Sequence, residues 1–181
     1  MKNKEVELKF MISPKIKETI INDLKNQTTS SSNSRQIDTY YIPYFREFEI
    51  NGETMECVRI REQNGITTLA YKKIHREANP VYCDEYETNL ESKEQMEKIL
   101  FALGFEIQMV IDKTRESYRL GEFEFDFDSV KNMGELMEVE LKNDSNDTAP
   151  IYEFVSKYGL TEKDVTYEGI QVLMKKAMNK K

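Results

Sequence analysis

Tryptophan is absent from this chain, histidine occurs once and cysteine twice. The histidine, His75, lies among Lys72, Lys73, Arg76 and Glu77 and reads as a solvated turn residue. One histidine without a partner motif offers no Ser-His-Asp or Cys-His machinery. Cys57 and Cys83 are too few for the disulfide framework of a small secreted domain or for a structural zinc site, and read as reduced thiols. No apolar run approaches the roughly 20 residues that span a bilayer. The first residues carry charge at every other position, unlike a signal peptide. The expectation is a cytoplasmic protein with no membrane partner. Positive charge is also short: 26 Lys and Arg against 33 Asp and Glu leave a formal charge of −7. That argues against a nucleic-acid partner, because general nucleic-acid binders usually carry net positive charge. It leaves room for a small anionic ligand, since local charge can oppose the global sign.

What is present is a chain of 181 residues, 39% hydrophobic and 33% charged, enough for a single domain over 1–181. Residues 4–12 alternate as a strand. Ser13-Pro14 reads as an N-cap and N1 proline, followed by a helical stripe of Ile16, Ile20, Ile21 and Leu24 through about Gln27. The Ser/Thr/Asn run 28–34 reads as a flexible loop. Strands are predicted near 36–42, 55–62, 67–74 and 81–88, with turns at Asn51-Gly52 and Asn64-Gly65; 44–50 fits either strand or short helix. Ser92 with Gln95 opens a helix that Gly104 closes. Strands near 106–119, 122–130 and 135–143 follow, then helices near 150–158 and 163–178. About eight strands, about four helices and no βαβ rhythm point to an α+β fold built on an antiparallel sheet or barrel.

The charges are patterned. Glu5 and Glu7, Glu85 and Glu87, Asp126 and Asp128, and Glu138 and Glu140 are each spaced by two, so each pair shares one face of its strand. Arg59 with Arg61, and Lys113 with Arg115, do the same in base; Lys9 continues the face of Glu5 and Glu7, and Arg119 that of Lys113. Two readings stand. The faces are solvated, as on one side of an amphipathic sheet. Alternatively they point into a barrel lumen, with the apolar faces outside under the helices. Like charges at such spacing repel unless opposite charges or counter-ions intervene. Inward carboxylates suit Mg²⁺ or Mn²⁺, and inward Arg and Lys suit phosphate oxygens.

These residues resemble the CYTH superfamily, the triphosphate tunnel metalloenzymes. Glu5-Val-Glu7-Leu-Lys9 is similar to the family's N-terminal signature. It is followed in order by Gln36-Ile-Asp38-Thr-Tyr40-Tyr41, Val58-Arg59-Ile-Arg61, Leu69-Ala-Tyr-Lys72, Glu85-Tyr-Glu87, Lys113-Thr-Arg115 and Asp128-Ser-Val-Lys-Asn-Met-Gly134-Glu-Leu-Met-Glu138-Val-Glu140, with Thr166-Tyr167 before the last helix. The resemblance covers nearly the whole chain. It implies an eight-stranded antiparallel β-barrel forming a tunnel with a charged lumen, flanked by the helices. It further implies Mg²⁺- or Mn²⁺-dependent chemistry on a triphosphate. By the same resemblance, Glu5, Glu7, Glu138 and Glu140 are metal ligands supported by Asp128. Lys9, Arg59, Arg61, Lys72, Lys113 and Arg115 hold the triphosphate. Glu85 and Glu87 serve a second metal or orient water, with Arg119 and Asp126 as additions. Cys83 stands where the family often has a base, and Ile42-Pro43 departs from the usual continuation of the second strand.

A metal-dependent triphosphatase is the leading reading. A class IV-like adenylyl cyclase making cyclic AMP from ATP is the alternative, and a non-catalytic polyphosphate- or nucleotide-binding module a third. The absence of Trp, and of a base-reading pocket recognisable among ten Tyr and nine Phe, favours inorganic tripolyphosphate over thiamine triphosphate and weakens the adenylyl cyclase reading; another organic triphosphate, thiamine or nucleoside, stays open.

Overall fold

The computed structural model describes residues 4, 5, 7–28, 30–78, 81–142 and 147–179, the first two by backbone alone. The N-terminal strand is split into β1 (Lys4–Glu5) and β2 (Glu7–Ile12). After α1 (Pro14–Lys25) comes β3 (Ser30–Pro43), then the small hairpin β4 (Glu49–Ile50) and β5 (Glu53–Thr54). Next are β6 (Glu56–Gln63), β7 (Ile66–His75), β8 (Tyr82–Asn89) and α2 (Lys93–Ala102). The chain continues through β9 (Phe105–Leu120), β10 (Phe123–Val130), β11 (Gly134–Leu141), α3 (Ala149–Ser156) and α4 (Ile170–Met178).

The main sheet runs β1-β8-β7-β6-β3-β9-β10-β11-β2. Its two edges are the two halves of one N-terminal strand: Glu5 pairs with Cys83 on β8, and Glu7 with Glu140 on β11. The sheet thus returns to itself, and counting β1 and β2 as one gives an eight-stranded antiparallel barrel. The seam to β8 is short, two residue pairs, and covers the strand edges only where it forms.

Alternation decides what lies inside. The outward residues Leu8, Phe10, Phe125, Phe127, Met137 and Val139 are buried under α1 (Ile20, Ile21, Leu24) and α3 (Ile151, Val155). Each such large side chain contributes about 1.5–3 kcal/mol on burial. Around β6, Val58 and Ile60 pack with Tyr41, Phe48 and Leu100 of α2. Serine caps work as expected: the Ser13 Oγ accepts from the Ile16 amide, and the Ser92 Oγ from that of Gln95. Helix α4 differs from the others. Its Ile170 and Met174 pack on Tyr40, Ile111, Val130 and Leu136, all from the inward faces of their strands, so α4 stoppers one end of the barrel.

Two expectations are corrected. Residues 30–34 are strand, not loop, because long β9 offers its Arg115–Arg119 backbone as partner. The last helix does not begin near Lys163. A 3-10 turn at Glu162–Asp164, capped by Thr161, comes first. The chain then runs extended, bridging Val165 to Phe10, and becomes helical again only after Gly169. Asn51-Gly52 and Asn64-Gly65 form turns with positive φ at both residues, the geometry that favours Asn-Gly. No described helix is long and apolar enough to cross a membrane.

Candidate functional site

The barrel interior holds a cavity of about 350 Å³. All six predicted triphosphate ligands line it: Lys9 from β2, Arg59 and Arg61 from β6, Lys72 from β7, Lys113 and Arg115 from β9. Glu85 and Glu87 of β8 line it too, as do Glu7 of β2 and Glu138 and Glu140 of β11. The charged faces therefore point inward, and the solvated-face reading is excluded for these strands. The side chain of Glu5 lies outside the described residues. Asp128 lies behind the cavity wall rather than on it: at 1% exposure, it accepts from Lys113 Nζ at 2.5 Å and from Arg115 Nε at 2.6 Å.

The acids and bases interlock. Arg115 also donates to Asp126 at 2.5 Å and to Glu138 at 2.6 Å, while Lys9 Nζ sits 3.1 Å from Glu138 and 3.4 Å from Glu7. Across the lumen, Arg59 reaches Glu85 at 3.4 Å and Glu87 at 3.3 Å, and Lys72 reaches Glu85 at 2.7 Å. Arg61 makes a fork to Asp38, both bonds 2.7 Å, and Asp38 has 0% exposure. Such a web offsets the cost of desolvating charges that would be prohibitive one at a time.

The titration behaviour follows. Burial opposes the Glu138 carboxylate, yet Lys9, Arg115 and Lys113 hold its pKa well below the ordinary value. Burial likewise opposes the Lys9 ammonium, but Glu138 and Glu7 raise its pKa. Lys113 goes the other way: burial, then Arg115, push it down to about 8. Asp126 is raised, chiefly by burial. The Arg59 guanidinium stays charged despite burial, held by the carboxylates of Asp38 and Glu85, but its Nε is buried without a hydrogen-bond partner.

Among the described residues no three His, Cys, Asp or Glu groups converge into a ready-made metal cage. The donor chemistry nevertheless fits a hard divalent ion: Glu7 and Glu140 face each other across β2 and β11, with oxygen donors alone.

Several lining residues were not assigned from the sequence. Glu124 continues the alternation of Asp126 and Asp128 and had a signal; Asp38, within the quoted second-strand motif, is buried behind the wall as the partner of Arg61. Lys142 pairs with Glu140 and Glu124. Thr54 and Gln171 reach the cavity from hairpin and stopper helix and had none. Arg119 is not among the cavity-lining residues.

The CYTH domain pattern matches residues 3–166. A protein of Methanocaldococcus jannaschii, named as a candidate adenylate cyclase, is 32% identical over 137 residues, 75% of this chain and 75% of that protein. A solved protein of Pyrococcus horikoshii shares the fold with a TM-score of 0.78 at 22% identity, covering 94% of this chain and 99% of its own. A solved adenylyl cyclase candidate from Hippeastrum, described as having a dominant triphosphatase activity, matches at a TM-score of 0.69 and 13% identity, covering 96% of this chain and 95% of its own. At these identities the two structures speak to fold.

Proposed function

Because the chain belongs to the CYTH family, we propose that it hydrolyses the terminal phosphoanhydride of a triphosphate with Mg²⁺ or Mn²⁺ as cofactor. One observation carries the proposal: six cations from four strands converge on one cavity with carboxylates set between them. Pure anion binding needs the cations and has no use for so many acids. The Hippeastrum protein's described activity supports hydrolysis. The name of the M. jannaschii relative supports a second reading, cyclisation of ATP to cyclic AMP. Cys57 and Cys83, not joined in a disulfide, accord with a cytoplasmic site of action.

The residues divide the work. Arg59, Arg61 and Arg115 present forked donors, and Lys9, Lys72 and Lys113 point charges, to phosphoryl oxygens. Substrate entry exchanges carboxylate partners of the cations for phosphate ones, and a divalent ion held by the released carboxylates would balance part of the added negative charge. Glu7, Glu138 and Glu140, with Glu5, are the residues that would hold the metal, and Asp128 supports from behind by fixing Lys113 and Arg115. Bound there, a divalent ion supplies charge neutralisation and Lewis acidity. Glu87, its side chain 46% exposed, is placed to accept a proton from an attacking water, while Glu85 holds Arg59 and Lys72 in register. Catalysis is mainly positioning and electrostatic stabilisation. The test is a screen of tripolyphosphate, ATP, GTP and thiamine triphosphate with each metal. Phosphate release supports hydrolysis; pyrophosphate with cyclic AMP replaces it by the cyclase reading.

A further inference from the structure

Besides the six cations assigned from the sequence, Lys142 also lines the cavity. It stands one residue beyond β11, and its amide bonds the Glu122 carbonyl, so its backbone is anchored to the neighbouring strand. Its ammonium pairs with Glu140 and lies 3.4 Å from Glu124. All three side chains are partly open to water, with exposures of 35% for Lys142, 21% for Glu140 and 35% for Glu124.

Register explains why a cation is needed there. Glu124 lies directly opposite Glu140, and Glu140 directly opposite Glu7, so three carboxylates stand abreast on β10, β11 and β2. All three line the cavity. Like charges so placed destabilise a sheet unless a cation stands between them. Lys9 approaches Glu7, and Lys142 bridges the other two. Glu7 and Glu140 belong to the proposed metal set, and Glu124 does not. An ammonium and a divalent ion therefore want the same Glu140 oxygens. With the Lys142 backbone fixed, its four-carbon stem is what can move. Glu124 already lies within ion-pair distance, so a small swing brings the ammonium to it.

We propose that Lys142 is a tethered cation that occupies Glu140 in the metal-free protein and passes to Glu124 when Glu140 turns to a divalent ion, so that Lys142 and Glu124 together set the metal affinity. The inference rests on the metal assignment made under the proposed function. Both are positioning residues, acting through Glu140.

The experiment measures Mn²⁺ affinity without substrate, from the loss of the paramagnetic resonance signal of the free ion. The proteins are the full-length wild type, Lys142→Met, Glu124→Gln and the double variant. Lys142→Met should bind Mn²⁺ about fivefold more tightly, the size of a partly exposed ion pair. Lys142→Gln should show the same gain, and a gain confined to one of the two overturns the inference. Glu124→Gln leaves the ammonium no second carboxylate and should bind about fivefold more weakly. In the Lys142→Met background the same Glu124→Gln change should alter affinity by less than about twofold, because no ammonium remains to be shared. A simple field effect of the two charges makes the changes additive, and additivity overturns the inference. So does a Lys142→Met protein that binds Mn²⁺ no more tightly than the wild type. Absence of Mn²⁺ binding in every protein overturns the metal assignment as well. The expected binding pattern without turnover overturns only the proposed hydrolysis.

Discussion

Glu140 on β11 stands directly opposite Glu7 on β2, and both side chains line the barrel cavity. Like charges so placed destabilise a sheet unless cations intervene, and Lys9 and Lys142 stand beside this pair. A divalent ion bound there, as proposed, would lessen the repulsion and stabilise the fold by mass action. Mg²⁺ or Mn²⁺ should therefore raise the melting temperature. Glu140→Gln should raise the metal-free melting temperature and shrink the metal-dependent gain, as read by scanning calorimetry. An undiminished gain in Glu140→Gln removes Glu140 from the metal set.

Arg61 and Asp38 form a buried fork. Removing either partner strands the other charge, so Asp38→Ala or Arg61→Ala should each cost about 3–5 kcal/mol. The double variant should cost clearly less than the sum, because no stranded charge remains. Urea denaturation gives all three values, and simple additivity would show that the pair is not coupled.

Lys113 gives a pH signature. Its folded pKa is about 8, below its ordinary value, through burial and the neighbouring Arg115. Between that value and the unfolded pKa of about 10.4, the unfolded chain holds a proton that the folded chain has released. This group's contribution to stability therefore rises with pH across the window. Anion binding has the opposite sign, since the charge that grips phosphate is lost there. The kcat/KM for a triphosphate should fall above pH 8. Lys113→Met should lower the plateau and abolish that step. A step that survives in Lys113→Met belongs to another group.

Gly169 is set by contact rather than by backbone conformation. A Cβ at Gly169 would press on Thr54 and Gln171. Gly169→Ala should destabilise by about 1–3 kcal/mol, the usual cost of overpacking. Denaturant unfolding checks this, and a neutral result would mean that hairpin and helix yield easily.

Much of this was legible in the chain because a strand's side-chain period is two. Once Glu138 and Glu140 share a face, Val139 must take the other, and the apolar face must find helices. What alternation cannot say is depth. Asp128 reads like Asp126, yet one is behind the wall and the other on it. Ser30–Ser34 has no apolar face at all, and its strand exists because β9 is long enough to pair with it. The start of α4 is likewise decided from outside, by the bridge from Val165 to Phe10 and the Thr166 amide's bond to the Lys9 carbonyl. Thr54 and Gln171 are brought together only by tertiary packing around Gly169.

The most direct test of the central claim is product analysis on purified protein. With Mg²⁺ or Mn²⁺ the wild type should release inorganic phosphate from a triphosphate. Arg59→Ala, which removes a forked cation from the cavity wall, should slow it by about 10²-fold or more. Chelator should abolish the release. Pyrophosphate and cyclic AMP in equal amounts, or no metal-dependent turnover of any triphosphate, would contradict the account.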